Sequence, residues 1–486
     1  MITKTSGEAS LTDVEQALVD HVTRGELLDL AADEPVDEAA MRTWDSSRTI
    51  RAAVVRDILR GRLATDPDPH GLRLRGARIA GRLDLEILTT GVGVGLVDCL
   101  LGEGLVARDA KLPFLSLSGC RLEHPDQPPL DADRLTAAAL GLDRAVITAA
   151  CEAGAVGLAG AHLGTLSCDG ATMRNGTGPA LAADGLQVDR GVWLAGGFEA
   201  VGAGAHGAVR LLGAHVGDQL ECTGATMRND SGPALDAEGL RVDQNVLLSG
   251  GFEAIGACSD VTLHLSHVRI GGVLVFAPTR LEHTAGPRAR LALDGLTYAG
   301  RPVGTSSPDW LRLLREGTRS YAAQPYQQFA AAQRAAGHDG EARRTLMAQR
   351  RDQINRGALT GRAERAWARL TGLTLGYGYQ PWRALLFLLG VATIAVVLAV
   401  VLGARGGVAR TDPKPPSAIE CSVVERVGVG LDIGLPLVKT GTQGHCDTTS
   451  STTGQVLTVA GWMLQVLAWA FATLFVAGFT SAVRKT

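Results

Sequence analysis

Absences narrow the reading of this sequence first. No Gly-x-Gly-x-x-Gly run follows a strand and opens a helix, and there is no Gly-x-x-x-x-Gly-Lys-Ser/Thr loop. Neither a dinucleotide cradle nor a P-loop is therefore expected. Ser, His and Asp residues occur, but no local signature joins them into a catalytic constellation. None of the eight cysteines forms a Cys-x-x-Cys pair. Neither sign of charge dominates: the formal net charge is −3, which gives no reason to expect nucleic-acid binding. The first eighteen residues have no apolar core and no lipidation motif, so the N-terminal part is expected to stay in the cytoplasm. Phenylalanine is scarce, nine against sixty-one glycines, and the glycines follow no Gly-X-Y period. That balance excludes a collagen-like chain and points to many tight turns or close backbone stacking. Basic residues are almost all arginine, as in GC-rich bacterial genomes.

Long uncharged apolar runs are present at 384–403 and 456–483. Each reaches the ~20 residues that a bilayer-spanning helix needs. Arg343, Arg344, Arg350, Arg351, Arg356, Arg362, Arg365, Arg369 and Arg383 crowd the approach to the first, and Arg484 and Lys485 follow the second. Positive residues favour the cytoplasmic side, so both termini are expected inside and residues 404–455 outside, in a bacterial plasma membrane. Tyr377, Tyr379, Trp382, Arg383, Arg484 and Lys485 are the candidate interfacial anchors. Gly461, Ala468, Ala472, Ala477 and Gly478 provide small surfaces for close helix packing, including between copies of the chain. The outer loop contains Pro413, Pro415 and Pro416 and holds Cys421 and Cys446, a candidate disulfide in an oxidising compartment. The other cysteines (Cys99, Cys120, Cys151, Cys168, Cys222 and Cys258) are expected to pack in the interior.

The soluble part repeats. Gly160-Ala-His-Leu-Gly-Thr-Leu-Ser-Cys-Asp-Gly-Ala-Thr-Met-Arg-Asn175 returns as Gly213-Ala-His-Val-Gly-Asp-Gln-Leu-Glu-Cys-Thr-Gly-Ala-Thr-Met-Arg-Asn229. Gly196-Gly-Phe-Glu-Ala200 likewise returns as Gly250-Gly-Phe-Glu-Ala254. Within each unit, short alternating runs (Leu72/Leu74, Leu83/Leu85, Leu115/Leu117, Val273/Val275) read as strands broken at corners. A unit unable to bury its own apolar face must stack on its neighbours, about 4.8 Å apart. The expected fold is mainly β: a parallel right-handed β-solenoid over 69–303, with each long repeat making two or three coils. A helical cap occupies 1–68, with helices at 11–22 and at 48–59, the latter capped by Ser46 or Ser47. A helical hairpin and juxtamembrane linker fills 304–381, with one helix entered at Pro325 and another over 340–355. Its basic side faces either anionic headgroups or solvent. A two-helix transmembrane hairpin fills 382–486.

His162, His215 and His267 are assigned to one repeat position. Lys111 and Arg78 are placed there too, which marks an outward corner and not a metal ladder. Asn175-Gly-Thr177 and Asn229-Asp-Ser231 match glycosylation sequons but are read as turns. Corner roles account for Asp84, Asp169, Asp184, Asp189, Asp236 and Asp243. Thr374-Leu-Gly-Tyr-Gly378 is similar to a potassium filter, but it precedes the first span, where a bend into the membrane is expected. No catalytic, cofactor-binding or metal residue is assigned.

Two resemblances follow from these residues. Trp44 with Arg48-Thr-Ile-Arg-Ala52, residues 72–85, Pro325-Tyr326, Gly337-His338, Tyr377-Gly378 and Pro381-Trp382 resemble an actinobacterial family labelled membrane-associated oxidoreductase. No catalytic residue transfers with that label. Tyr377-Gly-Tyr-Gln-Pro-Trp-Arg383, Phe475-Val-Ala-Gly-Phe-Thr480 and Val483-Arg-Lys485 resemble pentapeptide-repeat-like proteins fused to a two-helix ion-channel-like module. The solenoid here departs from a strict five-residue period, and the loop between the spans has no filter motif. The expected function is a membrane-tethered scaffold or sensor that binds a protein partner along the solenoid. An oligomeric channel-like protein is the alternative, and a membrane-associated oxidoreductase is a further one implied by the family label.

Overall fold

The computed structural model describes residues 10–32, 36–257, 261–284, 290–356, 361–378, 380, 382–411, 421–435 and 439–484. Cys258, Tyr379, Pro381, Pro413, Pro415, Pro416 and Lys485 lie outside the described residues, as does the side chain of Arg484. The chain packs as two compact units, Met1–Thr345 and Leu346–Thr486.

In the first unit, short strands stack into four parallel sheets, here A to D, with 10, 10, 9 and 7 strands. One circuit runs Leu166–Ser167 in A, Thr172–Asn175 in B, Leu181–Ala182 in C and Gln187–Val188 in D, then returns to A at Val192–Trp193. Nine such turns make a four-sided parallel β-solenoid. His162 pairs with Gln187, and Gln187 with His215, so two coils complete one long sequence repeat. Strands of two to four residues suffice because each pairs on both sides.

Alternation sets the interior. On sheet B, Ile79, Leu101, Leu122, Ile147, Met173, Ala200, Met227 and Ala254 stack in register and are buried. Sheet C contributes Leu83, Leu105, Leu130, Val156, Leu181, Val209, Leu235, Leu263 and Leu291. The columns are mostly aliphatic; on sheet B, Met173 and Met227 alternate with Ala200 and Ala254, and Phe198 and Phe252 are buried two residues before those alanines. The turn leaving sheet C adopts positive φ in coil after coil: Arg134, Gly160, Gly185, Gly213, Gly239, His267 and Gly295 all occupy it. Glycine dominates there because L side chains are strained in the left-handed region.

This register corrects several expectations. His162 and His215 share a column with Lys111, Thr136, Gln187, Arg241 and Arg269 on sheet D. His267 is not in that column but in the left-handed turn two residues earlier, and Arg78 belongs to sheet B, beside Thr49. The inward pair near 274 is Leu274 and Phe276, with Val275 outward, so the alternation is one residue out of phase with the Val273/Val275 reading. Asn175 and Asn229 make the expected turn bonds, their Oδ1 accepting from the N–H of Thr177 and Ser231, and both are buried. The Asn175 amide donates to the carbonyls of Cys151 (2.8 Å) and Pro179 (2.9 Å). That of Asn229 donates to Gly204 and His206, while its oxygen accepts from Ser231 and Gly232. Each asparagine thereby satisfies a buried loop that the sheet ladder does not reach.

Both ends of the stack are covered. Helix α1 (Asp13–Arg24) carries a Thr12/Glu15 capping box. After the short helix α2 (Glu38–Thr43) comes α3 (Ala52–Leu59), which starts later than the expected 48. Thr49–Arg51 is instead a strand paired with Arg78–Ala80, because ladder bonding and burial of Ile50 on Ile79 outweigh extending the helix. Arg51 also grips Glu15, whose side chain is 1% exposed. At the other end, Trp310 of α4 (Ser307–Glu316) is buried against Phe276, Tyr298 and Phe329. From α5 (Gln324–Ala335), Gln324 accepts from the Gly295 N–H and donates to the Leu296 carbonyl, and Gln328 donates to Tyr298. Two glutamine side chains thus stand in for the strand that would come next. Helix α6 (Asp339–Asn355) runs across the boundary between the units.

Replacing Asn229 by Leu removes the side-chain partner of four backbone groups, Gly232 N–H among them fully buried, and is expected to lower stability by ~2–4 kcal/mol, read from urea unfolding of the solubilised protein. Glu15 is held at about 2, against an ordinary 4.5, chiefly by the Arg51 guanidinium. A depressed carboxyl contributes stability above its unfolded value and loses it as pH falls through the folded one. The N-terminal cap is therefore expected to loosen between pH 4.5 and about 2. Glu15→Gln should remove that part of the pH dependence in hydrogen exchange of α1.

Candidate functional site

The second unit contains two helices long and apolar enough to cross a membrane, within Trp382–Gly407 and Thr452–Ala477. Their sides are largely bare: Trp462 is 65% exposed and Val466 70%. Core helices of a water-soluble domain bury such residues. Helix α7 (Arg362–Leu375) leads through a tight turn at Gly376–Gly378 into α8 (Trp382–Leu402). Gly376 and Tyr377 have positive φ, so the stretch that is similar to a filter makes a sharp bend before α8. Among the candidate anchors, Trp382 is 54% exposed and Arg383 follows it, whereas Tyr377 is half-buried against Ile354 and Ala368.

Between α8 and α10 (Thr452–Arg484) lies a further helix, α9 (Val423–Gly434), that no expectation covered. It lies against α8. A Cβ at Gly430 would sit 2.5 Å from the Val396 Cα, and one at Gly434 would sit 2.7 Å from the Ala392 Cα. Ala392 is the midpoint of α8, so α9 runs back from the C-terminal end of α8 and stops half-way along it. On its other side Ile433 meets Gly461 of α10. Within α9, Asp432 accepts from the Thr440 N–H and the Thr442 hydroxyl. The signals were local: Ser422 and Glu425 form a reciprocal capping box, and glycines at 428, 430 and 434 permit close approach.

The top of α9 is pinned. Cys421 and Cys446 form a disulfide, with Cα atoms 6.4 Å apart. Cys446–Thr448 pairs antiparallel with Val408–Arg410, and Arg410 holds Glu425 at 2.9 Å. Glu425 also approaches the two sulfurs, the one cluster of metal-ligand type among the described residues. With both sulfurs in a disulfide no thiolate remains there to bind a metal.

The solenoid presents four dissimilar outer faces. Sheet B carries charge pairs such as Arg174–Glu199 (3.0 Å). Sheet D carries the polar and basic column described above, with His162 and His215 paired to Asp189 and Asp243. Sheet C carries Asp84, Asp131, Arg210, Asp236 and His264 in its strands; Asp84 pairs with Arg56, Asp131 with Arg108, Asp236 with His264, and Arg210 with Asp184 of the adjoining turn. Of the candidate corner aspartates, Asp169, Asp184, Asp189 and Asp243 occupy turns as expected, whereas Asp84 and Asp236 end strands of sheet C; Asp84, Asp184, Asp189, Asp236 and Asp243 are in ion pairs. Cys99, Cys120, Cys151, Cys168 and Cys222 are free and buried; burial pushes the Cys222 thiol up to about 12 and Cys168 higher still. Thiols so poorly ionised are weak nucleophiles.

Fold and site together define a parallel β-solenoid that carries two potential membrane-spanning helices. Comparison with protein-family models, curated proteins and solved structures returns no match to this chain.

Replacing Cys421 and Cys446 together by Ser should release a closed loop of 25 residues' separation and cost ~3 kcal/mol locally. The expected readout is faster hydrogen exchange across α9, with solenoid amides unchanged.

Proposed function

We propose that this protein is a membrane-tethered scaffold or sensor whose solenoid displays a protein-binding surface in the cytoplasm. The observation that carries this reading is the presence, in one chain, of a rigid ladder with long patterned faces and of two apolar helices whose sides are unburied. A stacked ladder offers an extended surface for a partner, and bare apolar helices are stable in lipid. The arginine-rich approach to α8 supports a topology with both termini cytoplasmic, and the disulfide agrees with an oxidising compartment outside a bacterial plasma membrane.

The protein is expected to sediment with membranes, to resist carbonate extraction and to dissolve in detergent. Its N-terminal half should survive protease applied to intact cells. Recovery in the soluble fraction, or cleavage of that half from outside, defeats the proposal. Crosslinking in native membranes should capture a protein that is lost when charges on sheet B are reversed.

Helix α9 favours a second reading, an oligomeric channel-like module. If α8 and α10 span the bilayer, the C-terminal end of α9 lies near the midplane with Asp432 close by. Helix C-termini carry partial negative charge and attract cations. Several copies around one axis would line a path with such ends. Purified protein in planar bilayers should then pass cation current that Asp432→Asn reduces; no current at any voltage or pH removes this reading.

A further inference from the structure

We infer that helix α7 lies in the membrane interface beside α8, with an apolar stripe in the acyl boundary and its arginines on anionic phospholipid headgroups. This inference rests on the membrane-tether reading and adds a second, lipid-selective contact to it. Helix α7 reads Arg-Ala-Glu-Arg-Ala-Trp-Ala-Arg-Leu-Thr-Gly-Leu-Thr-Leu. At about 100° per residue, Ala363, Ala366, Trp367, Leu370 and Leu373 fall within one arc of roughly 120°. The large members of that arc are bare: Trp367 is 61% exposed, Leu370 49% and Leu373 63%. The opposite side is engaged, because Ala368 is buried with Ile354 of α6 and packs with Tyr377. One face of α7 is therefore docked on protein and the other has no protein cover.

Continuity and charge name what covers it. Gly376 ends α7 in the left-handed region and donates its N–H to the Thr371 carbonyl. The Tyr377 ring folds back over Gly372, where a Cβ would lie 2.5 Å from its Cζ. The chain bends sharply there, and Trp382 opens α8 seven positions after Leu375. Helix α7 also touches both α8 and α10, so it is held at the base of the two apolar helices. In the tether reading that base is the cytoplasmic surface of the bilayer, the depth that tryptophan side chains prefer. The helix has three arginines against one acid, Glu364. Arg369 is exposed and has no partner among the described residues, and the buried Nε of Arg365 has none either. Headgroup phosphates accept from guanidinium groups, and an anionic leaflet attracts them. An apolar stripe flanked by unpaired arginines fits a surface that is hydrocarbon on one side and anionic on the other.

The test uses the full-length protein in lipid nanodiscs, with a nitroxide attached at Leu370→Cys on α7 or, separately, at Val466→Cys on α10. Collisions with oxygen report lipid, and collisions with a water-soluble nickel chelate report solvent. Wild-type protein labelled in parallel supplies the background from native cysteines. In discs with about one-third phosphatidylglycerol the label at 370 is expected to collide with oxygen. The ratio of lipid-immersed to aqueous label should fall in pure phosphatidylcholine, and Arg369→Gln should lower it about fivefold in the anionic discs. The label at 466 separates this inference from the tether reading. Lipid at 466 with water at 370 overturns the interfacial helix and leaves the tether standing; water at both positions overturns the tether as well. A label at 370 shielded from both colliders marks a protein contact and overturns the inference, as does a ratio that is equal in the two lipid compositions.

Discussion

Every coil of the solenoid ends in unpaired N–H and C=O groups, and the next coil is their partner. That requirement organises the first unit. Strands two residues long would be worthless alone, but parallel pairing on both sides turns them into continuous ladders. The same stacking places like on like: leucine over leucine on sheet C, and isoleucine, leucine and methionine on sheet B. Apolar burial and backbone pairing are therefore satisfied by one geometry, and neither survives without the other.

The ladder has to start and stop. At the start, Thr49–Arg51 lends an edge strand and α1 covers it, held by the Glu15–Arg51 pair. At the finish, Trp310 plugs the core while Gln324 and Gln328 bond the last backbone groups. An open edge of this length would recruit another chain. Inside the stack, Asn175 and Asn229 do for the loops what the ladder does for the strands. Their burial also removes them as glycan acceptors in the folded protein.

In the second unit the organising contact is glycine against helix backbone. Gly430 and Gly434 let α9 lie on α8, and the Cys421–Cys446 bond with the Arg410–Glu425 pair fixes its N-terminal end. A loop that would otherwise be a simple connection becomes a half-length helix between two long ones. This arrangement is what separates a plain anchor from the channel-like alternative, and it rests on backbone proximity more than on any side-chain chemistry.

Much of this architecture was legible in the residues themselves. Period-2 runs, a 53-residue echo and two uncharged apolar stretches are local patterns, and each reports directly on burial or on lipid solubility. The spacing of Cys421 and Cys446 and the helix start at Pro325 were equally local. Register was not: whether His267 aligns with His162 depends on how many residues each corner consumes, and only stacked coils fix that count. Sequence spacing could not separate Val273/Val275 from Leu274/Phe276 for the same reason. The half-way stop of α9 and the burial of Asn229 both arise between segments distant in the chain. The sequence by itself determined that coils would stack and that two helices would be long and apolar enough to cross a membrane, since those follow from local hydropathy. Tertiary structure alone decided which side chains meet, because contact across coils depends on register that no single segment encodes.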